Sequence, residues 1–126
     1  MKDFRHLKVW EMAHKLTLEL YRVTASFPRE ELYGLTSQLR RAARSIPANI
    51  AEGCGRNTDR EFSQFIQIAM GSASEPEYHL LLARDLGFLS PENYQALNAK
   101  IIEVKKMLAS LLKTIRGGFP ARKAES

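Results

Sequence analysis

The sequence predicts an all-α protein, an antiparallel up-down-up-down four-helix bundle. In four long segments, apolar residues recur at the three- and four-residue spacing of helices. Prolines and glycines separate these segments by short connections, which favour antiparallel neighbours in a bundle. At 126 residues the chain has the length of one domain. We therefore assign residues 1–118 to the bundle and residues 119–126 to a basic, disordered C-terminal tail.

The first helix is predicted from Phe4 to Ser26, because its apolar residues follow a helical period. They cover an arc of roughly 260°, much wider than the ~100° stripe of an ordinary surface helix. The third predicted helix carries a similarly wide apolar arc. We therefore expect helices 1 and 3 to be covered by further copies of the chain, which predicts a homo-oligomer, most simply a closed ring or a dimer.

The second helix is predicted to restart at Pro28 and to run to about Glu52, with an apolar stripe of ordinary width. Pro47 lies inside it and predicts a local kink. Gly53 and Gly55 are expected to adopt left-handed backbone conformations that end the helix.

The third helix is predicted to begin at Thr58, which forms a capping box with Glu61. Pro76 predicts a kink in its middle, and the helix is expected to end at Gly87. The fourth helix is predicted to begin at Ser90, an N-cap residue followed by proline. Its single apolar stripe leaves it an ordinary solvent-facing side.

The net charge of +5 is concentrated at one end of the chain. Residues 100–126 hold seven basic and two acidic side chains, and the charges of residues 1–99 balance. This distribution fits an anionic partner such as nucleic acid, or a soluble surface. The chain has no signal-peptide pattern, no apolar run near the ~18 residues of a membrane span, and one cysteine. These features predict a cytoplasmic protein.

No catalytic, cofactor or metal motif is present, so neither an enzyme nor a cofactor is expected. Cys54 is predicted to be a small buried thiol, because nothing nearby in the sequence supplies a base. Glu11 and His14 have the Glu-x-x-His spacing of di-iron bundles, but those sites need two such pairs and two further carboxylates. His14 is therefore predicted to be a hydrogen-bonded core or interface residue. Glu75 and His79 are one turn apart, but a proline lies between them.

Arginines inside the second helix predict contact with phosphate, because a guanidinium group binds phosphate through two parallel hydrogen bonds. The predicted nucleic-acid-binding residues form a first basic surface of Arg40, Arg41, Arg44, Arg56 and Arg60, and a second basic surface of Lys105, Lys106, Lys113 and Arg116. Aromatic residues do not alternate with these arginines, so sequence-specific recognition of bases is not predicted.

A row of polar residues follows another side of the second helix at helical spacing. It predicts either a seam that fixes the register between helices or subunits, or a solvated side with internal pairs such as Glu52 with Arg56. Both alternatives stay open at this point. The residues predicted for the oligomer interface are Trp10, Tyr21, Gln38, Ser45, Asn49 and Glu52.

Nearly the whole chain resembles a family of four-helix bundle proteins. The resemblance is carried by FRHLKVWEMAHKLTLELY, FPREELYGLTSQLRRAARSIPANIAEGCGR and EFSQFIQIAMGSASEPEYHLLLARDLGFL, followed by a basic last helix. The family includes the proteins encoded by intervening sequences of bacterial 23S ribosomal RNA. The accessory protein of diversity-generating retroelements is similar. The chain departs from the family at Pro76, where an aliphatic residue is usual.

The resemblance implies a bundle that assembles into a pentamer, a role in binding RNA or DNA, and no enzymatic activity. For a protein of the retroelement type it also implies a reverse transcriptase as partner. These properties lead to the expected function, a non-enzymatic oligomer that binds nucleic acid through its phosphates. The alternative is a structural or adaptor oligomer that binds a protein partner without contacting nucleic acid.

Overall fold

The computed structural model describes residues 3–117, which form four α-helices and two short 3-10 turns. The helices are α1 (Lys8–Thr24), α2 (Leu35–Cys54), α3 (Asp59–Asp85) and α4 (Pro91–Gly117), and the turns are Phe4–His6 and Arg29–Glu31. No strand occurs within this range. The all-α prediction is confirmed. The predicted tail, residues 119–126, lies outside the described residues.

The helices pack in a square around one core. α1 and α3 each contact both α2 and α4, and within residues 3–117 neither diagonal pair is in contact. Cross-helix contacts run in opposite senses along neighbouring helices, as an antiparallel bundle requires. These contacts are Thr17 with Ala43 and Arg40 with Thr24 between α1 and α2, and Lys105 with Glu77 and Arg116 with Gln67 between α3 and α4. The core includes Leu20, Leu39, Ile46, Ile50, Ile66, Leu80, Ile101 and Leu108, all fully buried.

The predicted N-caps of α3 and α4 are confirmed. The Glu61 backbone N–H donates to Thr58 Oγ1 (3.2 Å), and the Thr58 hydroxyl donates to the Glu61 carboxylate (3.2 Å). At α4, the Asn93 N–H donates to Ser90 Oγ (3.1 Å). These bonds satisfy backbone donors that have no partner inside a helix, so each helix begins at a defined residue.

Two predicted helix starts were too early. Leu7 is extended (φ −84°, ψ 123°), so a 3-10 turn precedes α1 and the helix begins at Lys8. α2 begins at Leu35, because the Gly34 backbone lies outside the helical region. The side chain of Glu31 accepts a hydrogen bond from the Leu35 N–H (3.2 Å) and so satisfies a donor of the first turn of α2.

The predicted left-handed conformations at Gly53 and Gly55 were wrong. Among the described residues Gly87 alone has a positive φ (81°), and it ends α3 as predicted. Gly53 lies inside α2, and Gly55 is its C-cap with φ −82°. A Cβ at Gly53 would lie 3.0 Å from Phe65 Cβ and 3.0 Å from Phe62 Cδ1. Gly53 therefore permits a close approach of α2 and α3.

Pro47 and Pro76 are both buried inside helices that continue past them. The kinks predicted at these two positions stay predictions. No helix within the described range is long and apolar enough to cross a membrane.

Candidate nucleic-acid interface

Arg40 connects α2 to the C-terminal end of α1. Its Nε donates to Thr24 Oγ1 (2.8 Å), and its Nη2 donates to the Tyr21 backbone carbonyl (3.1 Å). The guanidinium also lies over the Tyr21 ring, with Cζ 4.8 Å from the ring centroid. A positive charge next to the last carbonyls of a helix is stabilised by the helix dipole. Arg40 is half-buried, and part of its donor capacity is used inside the bundle.

Arg44 lies one turn further along α2 and also contacts Tyr21. Its Nη1 donates to the Tyr21 hydroxyl (3.1 Å), and both side chains are exposed. The hydrogen bond of Arg44 goes to a neutral phenol, and its charge has no carboxylate partner among the described residues. Arg44 therefore keeps donors available for phosphate.

Arg41 takes no part in these contacts. It is exposed and makes no hydrogen bond or ion pair within residues 3–117. The three arginines of α2 therefore divide into a structural residue, Arg40, a residue oriented by tyrosine, Arg44, and an unpaired residue, Arg41.

We expect Arg40→Ala to lower the free energy of unfolding by about 1–2 kcal/mol, because the variant lacks two hydrogen bonds from a charged donor. Arg40→Lys should recover only part of this stability, since an ammonium group cannot reproduce the two-directional donor geometry. Arg41→Ala is the matched control and should change the stability by less than ~0.5 kcal/mol. Urea unfolding of the three variants measures these differences. Equal stabilities for Arg40→Ala and Arg41→Ala would contradict the connecting role of Arg40.

Arg56 and Arg60, the other members of the first basic surface, lie near the connection from α2 to α3. Arg56 Nη2 pairs with Glu52 Oε2 (3.3 Å), and its guanidinium covers the Phe65 ring at 4.7 Å. Arg60 lines a cavity of about 330 Å³ together with Arg116 of the second basic surface. The structure therefore joins the two surfaces at this end of the bundle, although the sequence predicted them as separate.

The lysines of α4 differ in how far their charge is neutralised. Lys105 Nζ donates to Glu77 Oε1 (2.8 Å) across the α3–α4 contact. Lys106 and Lys113 lie two turns apart, are exposed, and have no ion-pair partner in the described part of the chain. These two lysines are therefore available to an anionic partner, and Lys105 is largely neutralised within the bundle.

The polar row of α2 is satisfied within its own helix. Ser45 Oγ donates to the Ala42 carbonyl (3.1 Å), and Asn49 Nδ2 donates to the Ser45 carbonyl (2.8 Å). The predicted Glu52–Arg56 pair is present, and Gln38 is exposed. Within residues 3–117 the row makes no hydrogen bond or ion pair to another helix. A seam between subunits stays a prediction for these residues.

Aromatic side chains lie next to the arginines, an arrangement that was not predicted from the sequence. α1 places Tyr21 against Arg40 and Arg44. On the same helix, the Trp10 and His14 rings stack with centroids 5.0 Å apart and an interplanar angle of 10°. The sequence held a signal for this arrangement, because Trp10, His14 and Tyr21 are separated by four and seven residues and so share one side of a helix.

The candidates for chemistry occupy different environments. Cys54 is buried, as predicted. His14 was predicted to be a core or interface residue. The core alternative is wrong, because the residue is exposed and stacks on Trp10, and the interface alternative stays a prediction. Glu11 accepts a hydrogen bond from Lys15 Nζ (3.0 Å), which lowers the pKa of its carboxyl below the usual value. No group of three metal-ligating side chains occurs within residues 3–117.

α3 exposes large apolar side chains to solvent. Ile68, Tyr78 and Leu86 are each at least half exposed. α1 adds Leu18, which is 42% exposed. These positions fit the predicted excess of apolar surface on helices 1 and 3, and they are candidates for contact with another chain.

Comparisons with known proteins agree on one group of relatives. A family model described as 23S rRNA-intervening sequence protein matches residues 5–110. A crystal structure of a protein with unknown function from the S23 ribosomal protein family of Bacteroides thetaiotaomicron VPI-5482 is similar, with a TM-score of 0.76 and 26% sequence identity. The similarity covers 84% of this chain and 99% of the other. No curated protein matches the chain significantly.

Proposed function

The chain belongs to the 23S rRNA-intervening sequence protein family, and from this premise we propose that it is a non-enzymatic, cytoplasmic homo-oligomer that binds RNA or DNA through phosphate contacts. One observation carries the proposal: Arg41, Lys106 and Lys113 are exposed cations without a partner in the described part of the chain. Unpaired cations on a surface attract phosphate and release its counterions.

Arg41 on α2 and Lys106 on α4 lie on opposite corners of the bundle. α2 and α4 do not contact each other, because each packs between α1 and α3. Arg41 and Lys106 therefore cannot contact the same short stretch of nucleic acid on one chain. In an oligomer, neighbouring subunits would supply further copies of each surface, and several weak phosphate contacts would add up.

Charge reversal at one site on each surface tests which of them binds. We expect Arg41→Glu or Lys106→Glu to weaken binding of single-stranded RNA about tenfold. Either variant should also reduce the magnitude of the slope of log affinity against log salt by about 0.7 for each phosphate that is no longer neutralised. Fluorescence anisotropy of a labelled RNA measures both quantities. Arg22→Glu is the matched control, because Arg22 is an exposed α1 arginine outside both surfaces.

Equally weakened binding in all three variants would show that only net charge matters, and would contradict a localised phosphate site.

The second candidate function is an adaptor oligomer that binds a protein, favoured by the exposed apolar side chains of α3. It predicts that Arg41→Glu dissociates the oligomer and that RNA affinity is negligible in the unmodified protein. A reverse transcriptase partner, which the retroelement resemblance implies, is a further proposal of this second kind.

A further inference from the structure

The side of α1 next to the α2 arginines carries a run of rings that leads from the core to solvent. Phe4 packs against Trp10 with centroids 4.8 Å apart, and Trp10 stacks on His14 in a nearly parallel arrangement. Phe4 and Trp10 are half-buried, and His14 is exposed. The imidazole therefore ends the stack at the surface, where another flat ring can continue it.

Tyr21 lies two turns further along the same side of α1. The two residues are about 10 Å apart along the helix axis, so a strand that follows α1 meets His14 and Tyr21 with different nucleotides. Tyr21 is held in place from α2, because its hydroxyl accepts from Arg44 and Arg40 covers its ring. Tyr21 therefore lies beside a cation, Arg44, that can contact the adjoining phosphate.

We propose that His14, supported by Trp10, and Tyr21 form a stacking surface for the bases of a single-stranded nucleic acid, whose phosphates contact Arg44 and Arg41. The inference rests on the proposed function and specifies its ligand as unpaired rather than duplex nucleic acid. Any base can stack on an aromatic ring, so the surface binds single strands with little sequence preference. Paired bases in a duplex are stacked inside the helix and would leave only the phosphates to the arginines.

The same side of α1 was predicted to contact another subunit, but the charge of Arg44 fits an anionic partner there. In a two-fold contact, the Arg44 groups of both chains would lie in one interface and repel each other. In a ring, this side would face a different surface of the neighbouring subunit, which would have to neutralise Arg44 as phosphates do. The exposed apolar residues of α3 remain for self-association.

Two strands with equal numbers of phosphates test the inference on the assembled protein. One is an oligodeoxyadenylate of about 12 nucleotides, within the site size of small single-strand binders, and the other is an abasic strand of the same length. The oligodeoxyadenylate should bind about a hundredfold more tightly, since stacking contributes roughly a factor of ten for each of the two bases that meet His14 and Tyr21. Its binding should also change the emission of Trp10, the single tryptophan of the chain, and the abasic strand should leave this emission unchanged.

His14→Ala should reduce the advantage of the strand with bases to about tenfold, the share contributed by Tyr21, and leave the affinity for the abasic strand unchanged. His6→Ala is the matched control, because His6 is exposed and lies in the preceding turn outside the stack. Equal affinities for the two strands would overturn the stacking surface, and salt-dependent binding of both would leave the proposed function standing. Binding of neither strand at low salt would overturn both proposals.

Discussion

Gly53→Val should lower the free energy of unfolding by about 3 kcal/mol, at the upper end of the usual cost of overpacking. At this position α2 approaches α3 so closely that a Cβ would lie 3.0 Å from Phe65 Cβ. Phe65 Cβ is bonded to the backbone, so it can move only if α3 moves. Phe62, 3.0 Å away on the other side, is buried in the core and has little room to yield. Urea unfolding followed by circular dichroism measures the change in stability.

Gly71→Ala is the matched control for this prediction. Gly71 also lies inside a helix, but a Cβ there would meet nothing within 4 Å. The substitution should therefore stabilise the protein by about 0.5–1 kcal/mol, because alanine loses less backbone entropy on folding. A Gly53→Val protein as stable as the unmodified protein would contradict the close approach of α2 and α3.

Ile68→Glu should convert the proposed oligomer into monomers at micromolar concentration. Ile68 is 50% exposed on α3, which the sequence predicts to be covered by another chain. A carboxylate placed in an apolar contact loses its hydration without gaining a partner, which costs several kcal/mol per ion. In a closed ring, every contact between two subunits would contain one such carboxylate, so every contact would be weakened. Light scattering measures the mass.

Ile102→Glu is the control, because Ile102 is similarly exposed (38%) on α4, where the sequence predicts an ordinary solvent-facing side. This variant should keep the mass of the unmodified protein. Dissociation by Ile102→Glu alone would move the interface from α3 to α4. A monomeric unmodified protein at micromolar concentration would contradict self-association altogether.

The helices were predictable from sequence where their ends carry side-chain signals. Thr58 and Ser90 cap α3 and α4 as expected, because hydroxyl caps act within three residues. The start of α2 was not predictable in this way, since it depends on the backbone of Gly34 and on a bond from Leu35 to Glu31. The prediction for Gly53 was wrong for a similar reason. Its function is to make room for another helix, and sequence alone does not show which helix is near.

The candidate interface was less predictable than the fold. Sequence identifies cations but does not show their partners, so Arg40 and Arg41 looked equivalent. The structure separates them, because Thr24 of another helix lies within hydrogen-bond distance of Arg40 only. Lys105 and Lys106 are adjacent in sequence and differ in the same way, since Glu77 reaches only the first. Tyr21, the ring beside Arg40 and Arg44, comes from α1, about twenty residues earlier in the chain, so a search within α2 could not find it.

The central claim, binding of nucleic acid through phosphates, is tested most directly by the salt dependence of RNA affinity. The measurement is the affinity of the assembled protein for a short single-stranded RNA at a series of salt concentrations. We expect log affinity to fall linearly with log salt, with a slope of about −0.7 for each phosphate neutralised. An affinity that is absent at low salt, or that does not change with salt, would contradict the claim.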